Sequence, residues 1–178
     1  MKSESLQAHR LLLSTGLTIA TAESCTGGLI AKCLTDFSGS SIFFKGGVIT
    51  YTNAIKSQVL GVSISQDESA VKKRVALEMA SRTAELFQSD LAIATTGFME
   101  PSKEIRNTKA VRNATGFFFV GICFNNKTRS AIKAPGPLTW SESHYLCGTR
   151  RQNRDSASML TLRMLNRIIW KINKRRSS

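Results

Sequence analysis

Histidine is scarce in this chain: His9 and His144 are the only two among 178 residues, and they stand far apart. The four cysteines, Cys25, Cys33, Cys123 and Cys147, are widely spaced and form no Cys-x-x-Cys pair. The ligand spacing of a structural metal site is therefore missing. Unpaired cysteines fit a reducing compartment. Only three prolines occur, and no stretch is low in complexity. No apolar run approaches the roughly 18 residues that a membrane span needs. The opening MKSESLQAHR has no apolar secretory core. A cytoplasmic protein without membrane association is the expectation. Acids are also few, 12 against 25 Lys+Arg, which leaves a net charge of +13.

What is present is enough apolar material for one folded domain, 42% of the residues. The positive charge gathers at the carboxyl end. From Arg150 to Ser178 there are nine basic residues and one acid, Asp155, so this segment carries +8 of the +13. Such a surface fits phosphate or nucleic acid. It equally fits the solvated side of a final helix, which is the simpler account of most of these charges. The division expected is one domain over residues 1–173 and a basic tail over 174–178.

Helical and extended patterns alternate along the chain, which points to an α/β fold. A first helix is predicted over Ser5–Ser14 and ends at Gly16. A short buried strand follows, Leu17–Ala22, then the loop Glu23-Ser24-Cys25-Thr26-Gly27-Gly28 and a helix over Gly28–Thr35. Phe43–Tyr51 reads as a second strand, with Gly46 and Gly47 marking a bulge or close approach. Asn53 caps a short helix to Leu60. A longer helix spans Gln66–Phe87, with Val71, Val75, Met79 and Leu86 as its apolar positions. Leu91–Thr95 is another buried strand. Gly97–Asn113 is polar and reads as a mobile loop. Gly116–Phe124 is strongly apolar, and Asn125-Asn126 is expected to turn it into a hairpin partner, Thr128–Lys133. The last helix is predicted over Arg151–Ile172, with Leu162, Leu165, Ile169 and Ile172 as its buried stripe.

The loop after the first strand carries the densest chemistry. Ligands of open α/β sheets gather at the carboxyl ends of strands. A helix starting just after Gly27-Gly28 presents N–H groups that can hold a phosphate or a developing oxyanion. Ser24 supplies a hydroxyl there; Ser24 and Thr26 are also the residue types that merely cap a helix. Neither histidine is placed to serve a Ser-His-Asp triad, so the proton acceptor must be something else. Lys56, just past the second strand, can act if burial lowers its pKa; most lysines are simply solvated. Tyr51, at the end of that strand, can relay or donate a proton. Cys25 is a competing nucleophile, since a thiol at a helix N-terminus can be acidified. Cys33, Cys123 and Cys147 read as core or incidental residues.

The run Thr21-Ala-Glu-Ser-Cys-Thr-Gly-Gly28, with Gly39-Ser-Ser41, Gly47-Val-Ile-Thr-Tyr-Thr-Asn53, Lys56, Leu60-Gly61-Val62 and Leu91-Ala-Ile-Ala-Thr-Thr-Gly97, resembles the CinA C-terminal domain, the family of bacterial nicotinamide-nucleotide amidases. The resemblance covers at least Thr18–Arg154. It implies a single three-layer α/β/α domain with a mixed sheet, assembled as a homodimer or higher homo-oligomer, with no metal or organic cofactor. It implies deamidation of nicotinamide mononucleotide to nicotinate mononucleotide and ammonia, in pyridine-nucleotide salvage. Ser24 would be the nucleophile, with Lys56 and Tyr51 assisting proton transfer. Cys25, Thr26, Gly27, Gly28, Thr96 and Gly97 would line the substrate site, and Arg150 or Arg154 would meet the phosphate.

The chain departs from the family pattern where Thr-Gly-Ile-Ala-Gly-Pro and a glycine-rich stretch are usual. Here the residues are Thr96-Gly97-Phe98-Met99-Glu100-Pro101-Ser102-Lys103-Glu104. Glu100 stands where a glycine would let backbone approach a ligand, and it brings an acid near the expected phosphate. Pro-Val-Gly has become Ala114-Thr115-Gly116, and Thr149 replaces an aspartate before Arg150. Three readings follow: an amidohydrolase, a weak or inactive nucleotide-binding or regulatory relative, and a nucleic-acid-associated protein using the basic carboxyl end.

Overall fold

The computed structural model describes residues 2–65, 69–100, 116–131 and 139–176. Within these the chain forms α1 (Lys2–Thr15), β1 (Ile19–Glu23), α2 (Leu29–Thr35), a 3-10 turn (Ser40–Ile42), β2 (Phe44–Ile49), α3 (Asn53–Leu60), α4 (Lys73–Leu86), β3 (Leu91–Gly97), β4 (Phe117–Phe124), α5 (Asn126–Ala131), β5 (Thr139–Tyr145) and α6 (Arg150–Arg176). The five strands make one sheet in the order β2-β1-β3-β4-β5. β2, β1 and β3 run parallel; β4 and β5 are antiparallel additions. This is the α/β fold with a mixed sheet that the sequence predicts.

Side-chain size divides the two faces of the sheet. Ile19, Leu91, Ile93, Phe118, Val120 and Ile122 pack with Ala8 and Leu12 of α1, Ile30 and Leu34 of α2, and the Leu162-Leu165-Ile169-Ile172 stripe of α6. The alternate positions are small: Ala20, Ala22, Ala92 and Ala94. They let α4 settle close through Val75, Met79 and Ala80. The closest approach is at Gly121, where a Cβ would come 2.4 Å from the Ala76 carbonyl oxygen, well inside van der Waals contact. β1 is buried along its whole length, as expected of a parallel strand covered on both faces.

Both devices expected at Gly46-Gly47 are present. The β1–β2 register shifts between Ile19 and Ala20. A Cβ on Gly47 would lie 2.2 Å from Thr21 Oγ1, and one on Gly46 2.5 Å from the Phe87 ring.

Several predicted elements are corrected. Asn125-Asn126 does not turn a hairpin: the Asn125 side chain accepts from the Thr128 amide (2.7 Å) and starts helix α5. Thr128 Oγ1 then bonds Asp90, so the predicted strand from Thr128 is helical as far as residue 131; residues 132 and 133 lie outside the described residues. The strand that follows β4 and pairs with its free side is β5. The long central helix begins at Lys73, with residues 69–72 not helical and 66–68 outside the described residues; Val71 precedes it and Leu86 is exposed. Lys174–Arg176, assigned to a tail, continue α6. Of the predicted mobile loop Gly97–Asn113, Gly97 closes β3 and residues 101–113 lie outside the described residues. Among the described residues no helix is long and apolar enough to cross a membrane.

Candidate active site

The backbone pairing of β1 continues one step past the strand on each side. The Thr50 amide bonds the Glu23 carbonyl (2.9 Å), and the Ser24 amide bonds the Thr95 carbonyl (3.1 Å). Ser24 is thereby fixed at the carboxyl end of β1, between β2 and β3. From there the chain turns through Gly27 (φ +62°) and Gly28 (φ +93°) into α2, a left-handed pair that glycine adopts without strain.

Lys56 comes to Ser24 from α3. The helix is capped by the Thr52 hydroxyl, which accepts from the Ile55 amide, and its first turn directs Lys56 inward. Lys56 is 2% exposed. Its Nζ lies 3.1 Å from Ser24 Oγ and donates to the Tyr51 carbonyl at 3.2 Å. Ser24 Oγ also reaches that carbonyl (3.4 Å). Among the described residues no carboxylate pairs with Lys56, and desolvation by burial holds its pKa below the usual 10.5. The lowered pKa enlarges the share of neutral amine relative to a solvated lysine, and in that form the amine is a proton acceptor beside the serine hydroxyl.

Tyr51 contributes differently from the expectation. Its carbonyl, not its phenol, bonds the Ser24–Lys56 pair. The ring is half-exposed, and its hydroxyl accepts from Arg150. Tyr51 thus links the buried pair to the start of α6. Arg150 also lies 3.6 Å from Glu100, measured from its Nε.

Cys25 is corrected as a nucleophile. Its side chain is buried in the apolar core, and burial pushes its thiol up to about 12. The helix N-terminus does not acidify it, because the opening amides of α2 already have an anion. The Glu23 carboxylate, 1% exposed, accepts from Gly28 (2.9 Å), Ile30 (3.1 Å) and Ala31 (2.8 Å). The expectation that these N–H groups are open to a ligand is therefore corrected as well. The amides of Cys25, Thr26 and Gly27 find no backbone acceptor among the described residues. The residue that sequence reasoning passed over is Glu23. Its signal was an acid five residues ahead of Gly28, the N-cap of a helix that starts without a capping side chain.

The other predicted site residues are placed as follows. Thr26 Oγ1 bonds Thr95 Oγ1 (2.8 Å), and the Thr26 carbonyl accepts from Arg154 (3.0 Å). Gly27 lies beneath that guanidinium: a Cβ there would be 2.8 Å from Arg154 Nη2. Thr96 is one step beyond the Glu23–Thr95 pair, and its hydroxyl is tied to the Ala70 carbonyl. Gly97 packs directly on Phe118 of β4. Arg150, Arg151, Arg154, Asp155 and Leu29 line an open cleft of about 460 Å³. Asn153 is buried; it donates to the Met99 carbonyl (2.7 Å) and accepts from the Gly148 amide (2.9 Å).

A mixed α/β sheet with a serine–lysine pair at the carboxyl end of a parallel strand fits the class of α/β proteins whose sites lie at strand ends. The chain belongs to the CinA C-terminal domain family, whose model matches residues 2–169. A CinA-like protein of Chlorobium phaeobacteroides is 40% identical over 149 residues, 82% of this chain and 32% of the relative. One from Syntrophus aciditrophicus is 35% identical over 161 residues, 89% of this chain and 35% of the relative. The chain thus spans about a third of the length of these relatives. The crystal structure of the competence/damage inducible protein CihA from Agrobacterium tumefaciens is 28% identical, with a TM-score of 0.77 and coverage of 93% of this chain and 94% of that one. A CinA superfamily protein from Klebsiella pneumoniae 700603 shares the fold, with a TM-score of 0.80 at 23% identity and coverage of 96% and 98%.

Proposed function

We propose that this chain is an amidohydrolase that removes ammonia from the carboxamide of a pyridine nucleotide, with nicotinamide mononucleotide as the first substrate to test. The observation that carries this reading is the 3.1 Å contact between Ser24 Oγ and a buried Lys56 whose pKa is lowered by desolvation. In the proposed reaction neutral Lys56 takes the Ser24 proton as Oγ bonds to the carboxamide carbon. The carbonyl oxygen becomes an oxyanion facing the amides of Cys25, Thr26 and Gly27. Lys56 then returns the proton to the departing nitrogen, and ammonia leaves an acyl ester on Ser24. Water, deprotonated by the same amine, hydrolyses the ester to a carboxylate and frees Ser24. Arg154 and Arg150 stand beside the loop, where a phosphate would be drawn.

The test is ammonia release from nicotinamide mononucleotide by the purified chain, run beside Ser24→Ala and Lys56→Met. Each substitution should lower the rate by about 10³-fold or more. Release that survives both would end the proposal. Ligand-induced thermal stabilisation without any Ser24-dependent turnover would favour a binding role instead, a reading to which the Glu100–Arg150 contact lends support.

A further inference from the structure

The cleft beside the serine loop carries less usable positive charge than its three arginines indicate. Asp155 forms part of its wall. Arg150 is engaged twice, through its contact with Glu100 and through its bond to the Tyr51 hydroxyl. Arg154 differs: its partner is the uncharged Thr26 carbonyl, and no carboxylate pairs with it among the described residues. Asn153 ties Met99, the neighbour of Glu100, to the beginning of α6. The segment that carries the acid is therefore tied by a buried amide to the helix that carries the arginine.

We propose that Glu100 is a specificity-determining residue that lowers this cleft's preference for a phosphate-bearing carboxamide over the same carboxamide without a phosphate. The proposal takes its ligands from the amidohydrolase reading above and rests on it to that extent. A phosphate monoester bears nearly two negative charges at neutral pH. A phosphate drawn to Arg150 comes to lie near the Glu100 carboxylate and is repelled by it. A ligand that ends in a neutral sugar is not. The pair is partly exposed, with side-chain exposures of 40% for Arg150 and 48% for Glu100, so the effect is moderate and screened by salt.

The experiment is calorimetric titration of the full chain carrying Ser24→Ala, which prevents turnover. The ligands are nicotinamide mononucleotide and nicotinamide riboside, at low and at physiological salt. Adding Glu100→Gln should raise the affinity for the nucleotide relative to the riboside by about three- to tenfold at low salt, and by less at physiological salt. In an Arg150→Gln background the same change should bring no such gain. A ratio altered by less than twofold overturns the proposal. So does an equal gain for both ligands, a gain that persists without Arg150, or no binding of the nucleotide at millimolar concentration by any variant. Equal melting temperatures confirm that the exposed substitution leaves the fold intact. Ammonia release by the Ser24 protein is measured separately. A shifted ratio without turnover sinks the hydrolase reading alone, and turnover with an unshifted ratio sinks this one alone.

Discussion

Replacing Glu23 by glutamine tests how the serine loop is held. The carboxylate receives three amides, Ala31 on Oε1 and Gly28 and Ile30 on Oε2. A glutamine keeps the shape but has only one accepting atom. In its better orientation the carbonyl keeps Gly28 and Ile30, while the NH2 group faces the Ala31 N–H, donor against donor. Bonds to a charged acceptor contribute about 1.5–3 kcal/mol and neutral ones about 0.5–1.5 kcal/mol, and a buried donor left unmade costs about 1–3 kcal/mol. Relief of the buried charge offsets part of this. The net loss should be about 2–4 kcal/mol, a large share of the 5–15 kcal/mol typical of a domain. Urea unfolding followed by circular dichroism measures it. Amide exchange should quicken at Gly28, Ile30 and Ala31 ahead of the rest of the core. A loss below about 0.5 kcal/mol, with exchange unchanged at those three amides, would refute the reasoning.

Burial holds the Lys56 pKa below its ordinary 10.5, so the neutral amine gains share as pH rises through that lowered value. Ammonia release should rise with pH to a plateau, with its midpoint below 10.5, and Lys56→Arg, which stays charged, should show neither the rise nor the rate; a midpoint at or above 10.5 would contradict this. Between the lowered value and 10.5 the unfolded chain binds the extra proton, so the protein should gain stability with pH in that window, a gain absent from Lys56→Met in urea titrations. With its pKa at about 12, Cys25 stays a thiol through neutral pH. A thiol reagent should label the exposed Cys147 first and Cys25 only on unfolding; fast labelling of Cys25 in a Cys147→Ser protein would overturn its placement.

The elements legible in the sequence are those whose signal is local. The buried runs of β1, β3 and β4, the α6 stripe and the glycine turn after β1 each stand where their patterns place them. Lys56 was legible as a candidate because it follows a strand adjacent to Ser24. The elements misread depend on partners distant in sequence. Asn125 has the composition of a turn, yet its amide group bonds Ser89 and the Thr128 amide at once, which starts a helix. β5 is short of apolar residues, and it is held by ladder bonds to β4, by Trp140 against Phe124 and by His144 against Phe118. The Tyr51 phenol could be placed near the site from sequence, but its direction is set by Arg150, 99 residues away.

Asn153 binds one segment with its NH2 group and another with its oxygen. A carboxamide has a fixed span, so one side chain sets the spacing between the end of β3 and the turn that leads into α6. A shorter residue at position 153 would uncouple those two segments, whatever stood at the neighbouring arginines.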